Sequence, residues 1–223
     1  MFTHVKLEKS VPKLTQLNED GTRYYVTPEG NKYPSVTTVL SAYNSKYIFE
    51  WRKRVGDEQA NAISRRASTR GTKLHKACED YLNNTPPKLQ TPLEVELFTK
   101  FKPVLHQIDN IHAQEIRMYS DHLRMAGTVD CVAFFNGRLS IIDFKTASKQ
   151  KDKDSIGNYF MQCSAYAIMF EERFEIPVSQ IVVAIAVEDD DPQIFVEKRD
   201  NHVKELIRYR DLYESKFNLV SST

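Results

Sequence analysis

Asp143 and Lys145 stand two residues apart in the segment SIIDFKT, and Asp130 lies upstream in GTVDCVAFF. Both segments are otherwise apolar, and an acid inside a buried strand costs several kcal/mol unless it is paired or bound to a metal. Side chains alternate along a strand, so Asp143 and Lys145 share one face, roughly 7 Å apart, while Phe144 points the other way. Asp130, on the neighbouring strand of the same hairpin, reaches the same end of the sheet. Two carboxylates suit a hard divalent cation such as Mg²⁺. A lysine beside them can orient or deprotonate a water and offset charge that develops on a phosphate. The trio therefore predicts metal-assisted hydrolysis of a phosphate ester.

Two further constellations have weaker signals. In GTKLHKACE, His75 and Glu79 are four apart and would share a helical face, with Gly71 at its start allowing close approach. Imidazole and carboxylate could add to a metal shell, Glu79 directly or through water, although a solvated helix face is the better explanation of the pair when it is taken alone. Gln162 and Tyr166 are again four apart and could hold a substrate backbone or orient the lysine; ordinary buried polar residues would look the same. Upstream, Trp51, Arg52, Lys53, Arg66, Arg70 and Lys73 form a basic, aromatic-bearing stretch, reinforced by Arg54 and Arg65. Cations bind phosphates and aromatic rings stack on unpaired bases, so this stretch is the expected DNA-binding surface.

Taken in order, Gly71–His75–Glu79, Gly127-Thr-Val-Asp130, Asp143-Phe-Lys145 and Gln162–Tyr166 resemble the motif series of the RecB-like branch of the PD-(D/E)xK nuclease superfamily. The resemblance covers about residues 70–175. More loosely, RYYVTPEGNKYPSVTTVL and the helical stretch after it are similar to phage exonucleases. The resemblance implies that Asp130, Asp143 and the Phe144 carbonyl oxygen bind Mg²⁺ or Mn²⁺, with His75 as a further ligand. It implies that Lys145 acts on the water and that Gln162 and Tyr166 support the site. Val129, not proline, precedes Asp130, as is common in this branch. Relatives with an iron–sulfur cluster carry four suitably placed cysteines; Cys78, Cys131 and Cys163 are three and scattered, so no cluster is expected. The implied activity is a DNA exonuclease acting on single strands or ends, in phage-type replication or recombination, with a possible protein partner from that process. An endonuclease with the same core, and a DNA-binding module without catalysis, remain open.

The elements that must position these residues are expected as follows. Residues 1–34 read as short strands and turns, and Ser35 as the N-cap of a helix VTTVLSAY. Residues 46–67 read as one long helix, with a break at Gly71 before a second helix at 72–83. LEVELFTKFKPVLHQI is another helix, with a kink expected at Pro103. Strands follow at 111–119, 123–135 and 138–146, the last two turning at Asn136-Gly137. A helix at about 156–174, the buried strand IVVAIAV, the strand QIFVEKR and a helix at 201–216 complete the chain. The expected fold class is mixed α/β: a restriction-endonuclease-like central mixed sheet flanked by helices. The expected organisation is a single domain, with strands and turns at 1–34, a helical elaboration at 35–108 and the nuclease core at 109–223.

With 223 residues, 41% of them hydrophobic and 27% charged, the chain can build an ordinary core without disulfides. The 31 basic and 30 acidic residues leave a net +1, which neither announces nor excludes a nucleic-acid partner, because acids at a metal and bases along a groove cancel in the sum. No apolar run is long enough for a membrane span. Odd, dispersed cysteines and the absence of a signal-peptide pattern in MFTHVKLEKS point to a reducing compartment: the cytoplasm, or a host's cytoplasm for a phage protein.

Overall fold

The structure is a computed structural model and describes residues 1–42 and 45–220; side chains are described throughout these except at 45–47 and 217–220. The central element is a five-stranded sheet in the order β4 (Ile108–Ser120), β5 (Met125–Phe135), β6 (Arg138–Ala147), β7 (Gln180–Val187), β8 (Gln193–Lys198). Neighbouring strands run antiparallel except β6 and β7, which are parallel. A parallel pair needs a crossover, and the helix α5 (Gly157–Phe174) supplies it. At the β5–β6 hairpin, Asn136 and Gly137 take φ of 48° and 79°. Two successive left-handed residues are what a two-residue type I′ turn demands, hence Asn-Gly there.

Helices cover both faces. On one face lie α3 (Asp57–Leu82) and α4 (Pro92–Leu105), where Leu74, Cys78, Leu97 and Phe101 pack on Cys131, Ile142, Phe144 and Ala184. On the other, α5 packs Phe160, Tyr166 and Phe170 against Ile141, Val183 and Ile185, with α1 (Val36–Ser41) and α6 (Asp200–Val220) outside it. Strand β7 is buried on both sides along IVVAIAV, which explains its unbroken apolar run. A small antiparallel sheet of β1 (Thr15–Glu19), β2 (Thr22–Val26) and β3 (Lys32–Pro34) leans on the rim of the large one through Leu14, Tyr25, Tyr119 and Ala126.

The expected helix starts at Ser35, whose side chain accepts a hydrogen bond from the Thr38 amide; Tyr43, the last residue of VTTVLSAY, lies outside the described residues. The expected helix 46–67 and break at Gly71 are corrected. The break falls at Gly56, with φ of 84°, between α2 (Ser45–Val55) and α3, and α3 runs unbroken through Gly71. Glycine inside a helix costs only about 1 kcal/mol relative to alanine, which tertiary packing overrides; at Gly71 a side chain would meet Thr146 Oγ1 at 3.9 Å. The left-handed backbone at Gly56, by contrast, is not helical at all. The helix α4 likewise continues through Pro103. The helices of residues 57–105 are thus one complete layer of the core.

Candidate active site

The site forms where the β5–β6 ladder stops. Pairing ends at Cys131 opposite Ile142, so one further step brings Asp130 opposite Asp143. In place of continued strand pairing, the Asp130 carboxylate accepts the Phe144 amide through Oδ2 at 2.8 Å. A backbone donor in the sheet is thereby satisfied by a side chain, and the other carboxylate oxygen of Asp130 faces His75, whose Nδ1 is 3.6 Å away. The imidazole stands edge-on to the Phe144 ring, with ring centres 6.4 Å apart. The α3 face that buries Leu74 and Cys78 thus presents His75 to the acids.

Asp143 is 1% exposed and forms an ion pair with Lys145 through Oδ2. Its Oδ1 accepts from Gln162 Nε2 at 3.0 Å, and Gln162 Nε2 also lies 3.4 Å from Tyr166 Oη. The two residues spaced along α5 therefore hold the acid. Lys145 Nζ sits 5.1 Å over the face of Tyr159. Burial raises the Asp143 carboxyl to about 6, partly offset by the Lys145 charge. For Lys145, burial works against the ammonium, but Asp143 and Asp130 outweigh it and hold the pKa above the ordinary lysine value. Lys145 is accordingly a charged donor at neutral pH.

Gly127 has a steric reason. A side chain there would stand 2.7 Å from Tyr166 Cε1 and 2.9 Å from its Oη. Only glycine admits the buried tyrosine that lines up with Gln162.

Glu115 escaped the sequence reasoning. His75, Glu115 and Asp130 each offer a ligand atom, all within 4.8 Å of one another. Partial desolvation in the cleft raises the Glu115 carboxyl to about 7, with the Asp130 charge adding to it, although the residue remains open to solvent. The pattern IHAQEIRMYS gave no signal for it, because Glu115 reads as one more polar residue on an alternating strand. Glu79 lies in the same cleft with Gly71, Thr72, His75, Lys76 and Glu115, and its carboxylate accepts from Lys76 at 3.0 Å. Imidazole nitrogen with carboxylate oxygens is a donor set that fits a divalent cation.

The basic stretch is differently placed. Arg70 is corrected from a solvent-facing cation: its side chain is 8% exposed and pairs with Glu188 at 2.5 Å. Arg66 shares Glu188 at 3.1 Å but is 68% exposed. Arg52 pairs with Asp57 at 2.8 Å, and Lys73 donates to Gln90 at 2.9 Å. Lys53 lies over the Phe49 ring, and Trp51 is half-buried. The three cysteines are each fully buried. Among the described residues no helix is long and apolar enough to cross a membrane.

The chain belongs to the PD-(D/E)XK nuclease superfamily, whose family model matches residues 42–218. It is similar to mitochondrial genome maintenance exonuclease 1 of Mus musculus, at 26% identity over 178 residues, 73% of this chain and 52% of that protein. The Homo sapiens counterpart is 25% identical over 178 residues, 73% of this chain and 51% of its own. The chain spans about half the length of these relatives. A candidate exonuclease of known structure from Eubacterium rectale shares the fold with a TM-score of 0.50 at 14% identity, over 67% of this chain and 65% of that one.

Proposed function

We propose that this chain is a single-domain, metal-dependent deoxyribonuclease that degrades DNA from single-stranded ends, in replication or recombination of a phage type. The reading rests above all on one observation: Asp130 is held by the Phe144 amide beside His75, next to a buried Asp143–Lys145 pair. It is supported by family membership and by the exonuclease names of the relatives. His75, Asp130, Asp143 and the Phe144 carbonyl would hold Mg²⁺ or Mn²⁺. Such a cation supplies Lewis acidity toward a phosphate oxygen and makes water a better nucleophile.

The chain's own residues do the rest. Gln162 fixes the Asp143 carboxylate, and Tyr166 buttresses Gln162. Lys145, kept protonated by its acidic neighbours, donates to the phosphate and neutralises charge as the bond to the leaving oxygen breaks. Phe144 and Phe101 pack edge to face beneath the site, with ring centres 6.0 Å apart, and exclude water from below. Lys53, Arg54, Arg65 and Arg66, solvent-facing cations of α2 and α3, supply phosphate contacts upstream of His75.

Cleavage of labelled single-stranded DNA with Mg²⁺, Mn²⁺, Ca²⁺ or excess chelator tests the metal requirement. Turnover is expected with the first two only, because the larger Ca²⁺ tolerates looser geometry. Full activity in chelator would sink the mechanism. Circular single-stranded DNA should survive; its digestion would favour an endonuclease.

A further inference from the structure

We infer that Glu115 binds the divalent cation directly, from the β4 side, together with His75 and Asp130. The inference rests on the metal-dependent reading above and adds a residue that none of the motifs supplies.

Position comes first. The pairs Gln114–Cys131 and Ile116–Val129 flank Glu115, which places it opposite Asp130. Asp130 in turn is one step past the last pair with β6, opposite Asp143. Three acids on three adjacent strands thus form one row across the sheet, and His75 reaches this row from α3. Glu115 is the outer member, on the side away from Lys145.

Charge comes second. Among the described residues, Asp143 has the Lys145 ammonium, but the Glu115 carboxylate has no hydrogen bond or ion pair. The cation of the same cleft, Lys76, is taken by Glu79 at 3.0 Å and Asp80 at 2.9 Å. Two carboxylates and an imidazole nitrogen converge to within 4.8 Å, with Glu115 itself open to solvent. Donor atoms lie about 2.1 Å from such a cation, so the three groups would draw closer together to share one ion.

Backbone conformation comes third. Glu115 has a φ of 50° inside a strand. That region is strained for a non-glycine residue. Glycine would be free of the strain, so a glutamate here gives up stability and gains a carboxylate beside Asp130. An ordinary surface residue of an alternating strand has no such reason.

Mn²⁺ binding to the whole chain, followed by electron paramagnetic resonance of the free ion, tests the assignment on Glu115→Gln and Glu115→Gly. Both variants should bind Mn²⁺ at least about tenfold more weakly than wild type, with melting in chelator as the control for folding. In chelator, Glu115→Gly should melt no lower than wild type, since glycine accepts the left-handed backbone. A residue that merely braced the strand would instead lower melting and Mn²⁺ affinity together in that variant, and this result would overturn the inference. So would wild-type Mn²⁺ affinity in both variants. A wild-type protein that takes up no Mn²⁺ would remove the metal-dependent reading itself.

Discussion

Asp143 is held by Gln162, Gln162 lies beside Tyr166, and Tyr166 passes over Gly127. The chain of contacts predicts that Gly127→Ala costs about 1–3 kcal/mol, because the buried ring has no room to withdraw. Urea unfolding of Gly127→Ala, Tyr166→Leu and the double variant measures it. The double variant should lose less than the sum of the two, since the smaller side chain relieves the overlap. Wild-type stability in Gly127→Ala would show that Tyr166 is not pinned there. At this scale much was legible in the sequence. Asp143 and Lys145 follow from strand alternation, whereas the four-residue spacings of His75 and Gln162 are weak alone and are singled out only by the order of the motifs. Glu115 was not legible, because its left-handed backbone has no signature in residue type. Nor was the burial of Arg70, because its acid, Glu188, lies 118 residues further along the chain.

The ion pair between Arg70 and Glu188 belongs to the element scale. It ties the middle of α3 to the end of β7, while Gly71 lies against Thr146 of β6. His75, little more than one turn further along α3, is thereby fixed over Asp130. Burial disfavours ionisation of Glu188, but the hydrogen bond and charge of Arg70, with Arg66 behind it, outweigh this and lower its pKa. A lowered carboxylate pKa contributes stability above its unfolded value, near 4.5, and that stability is lost as pH falls through the lower folded value. Glu188→Gln should therefore cost about 3 kcal/mol at pH 7, since it leaves the Arg70 guanidinium buried without a counter-charge. The gap between variant and wild type should shrink as pH falls below 4.5. Urea unfolding at pH 7 and pH 3.5 checks both statements; equal stability at pH 7 would mean the pair does not anchor α3. The strands followed from apolar alternation and, for β7, an unbroken apolar run, and the β5–β6 pairing from Asn136-Gly137; the parallel placement of β7 beside β6 did not. The division of the helices did not, since nothing in residue type separates Gly56, which adopts a left-handed backbone, from Gly71, which does not.

In the whole molecule, one sheet carries the acids, α5 braces them from one face, and α3 brings the imidazole from the other. The exposed length of α3 before Arg70 continues away from this site with α2, carrying Lys53, Arg54, Arg65 and Arg66 to solvent. On the proposed reading, a single strand lies along these helices with its phosphates beside the cations and reaches the acids. The protein should therefore bind single-stranded DNA more tightly than blunt duplex, with an affinity that falls steeply with salt. The most direct test of the account as a whole is digestion of end-labelled single-stranded DNA with Mg²⁺ by wild type and Lys145→Ala. Binding of the same DNA in Ca²⁺, and melting, serve as controls. The predicted result is progressive shortening by wild type and a loss of at least about 10²–10³-fold in Lys145→Ala, with binding retained. Cleavage by Lys145→Ala at the wild-type rate would contradict the account.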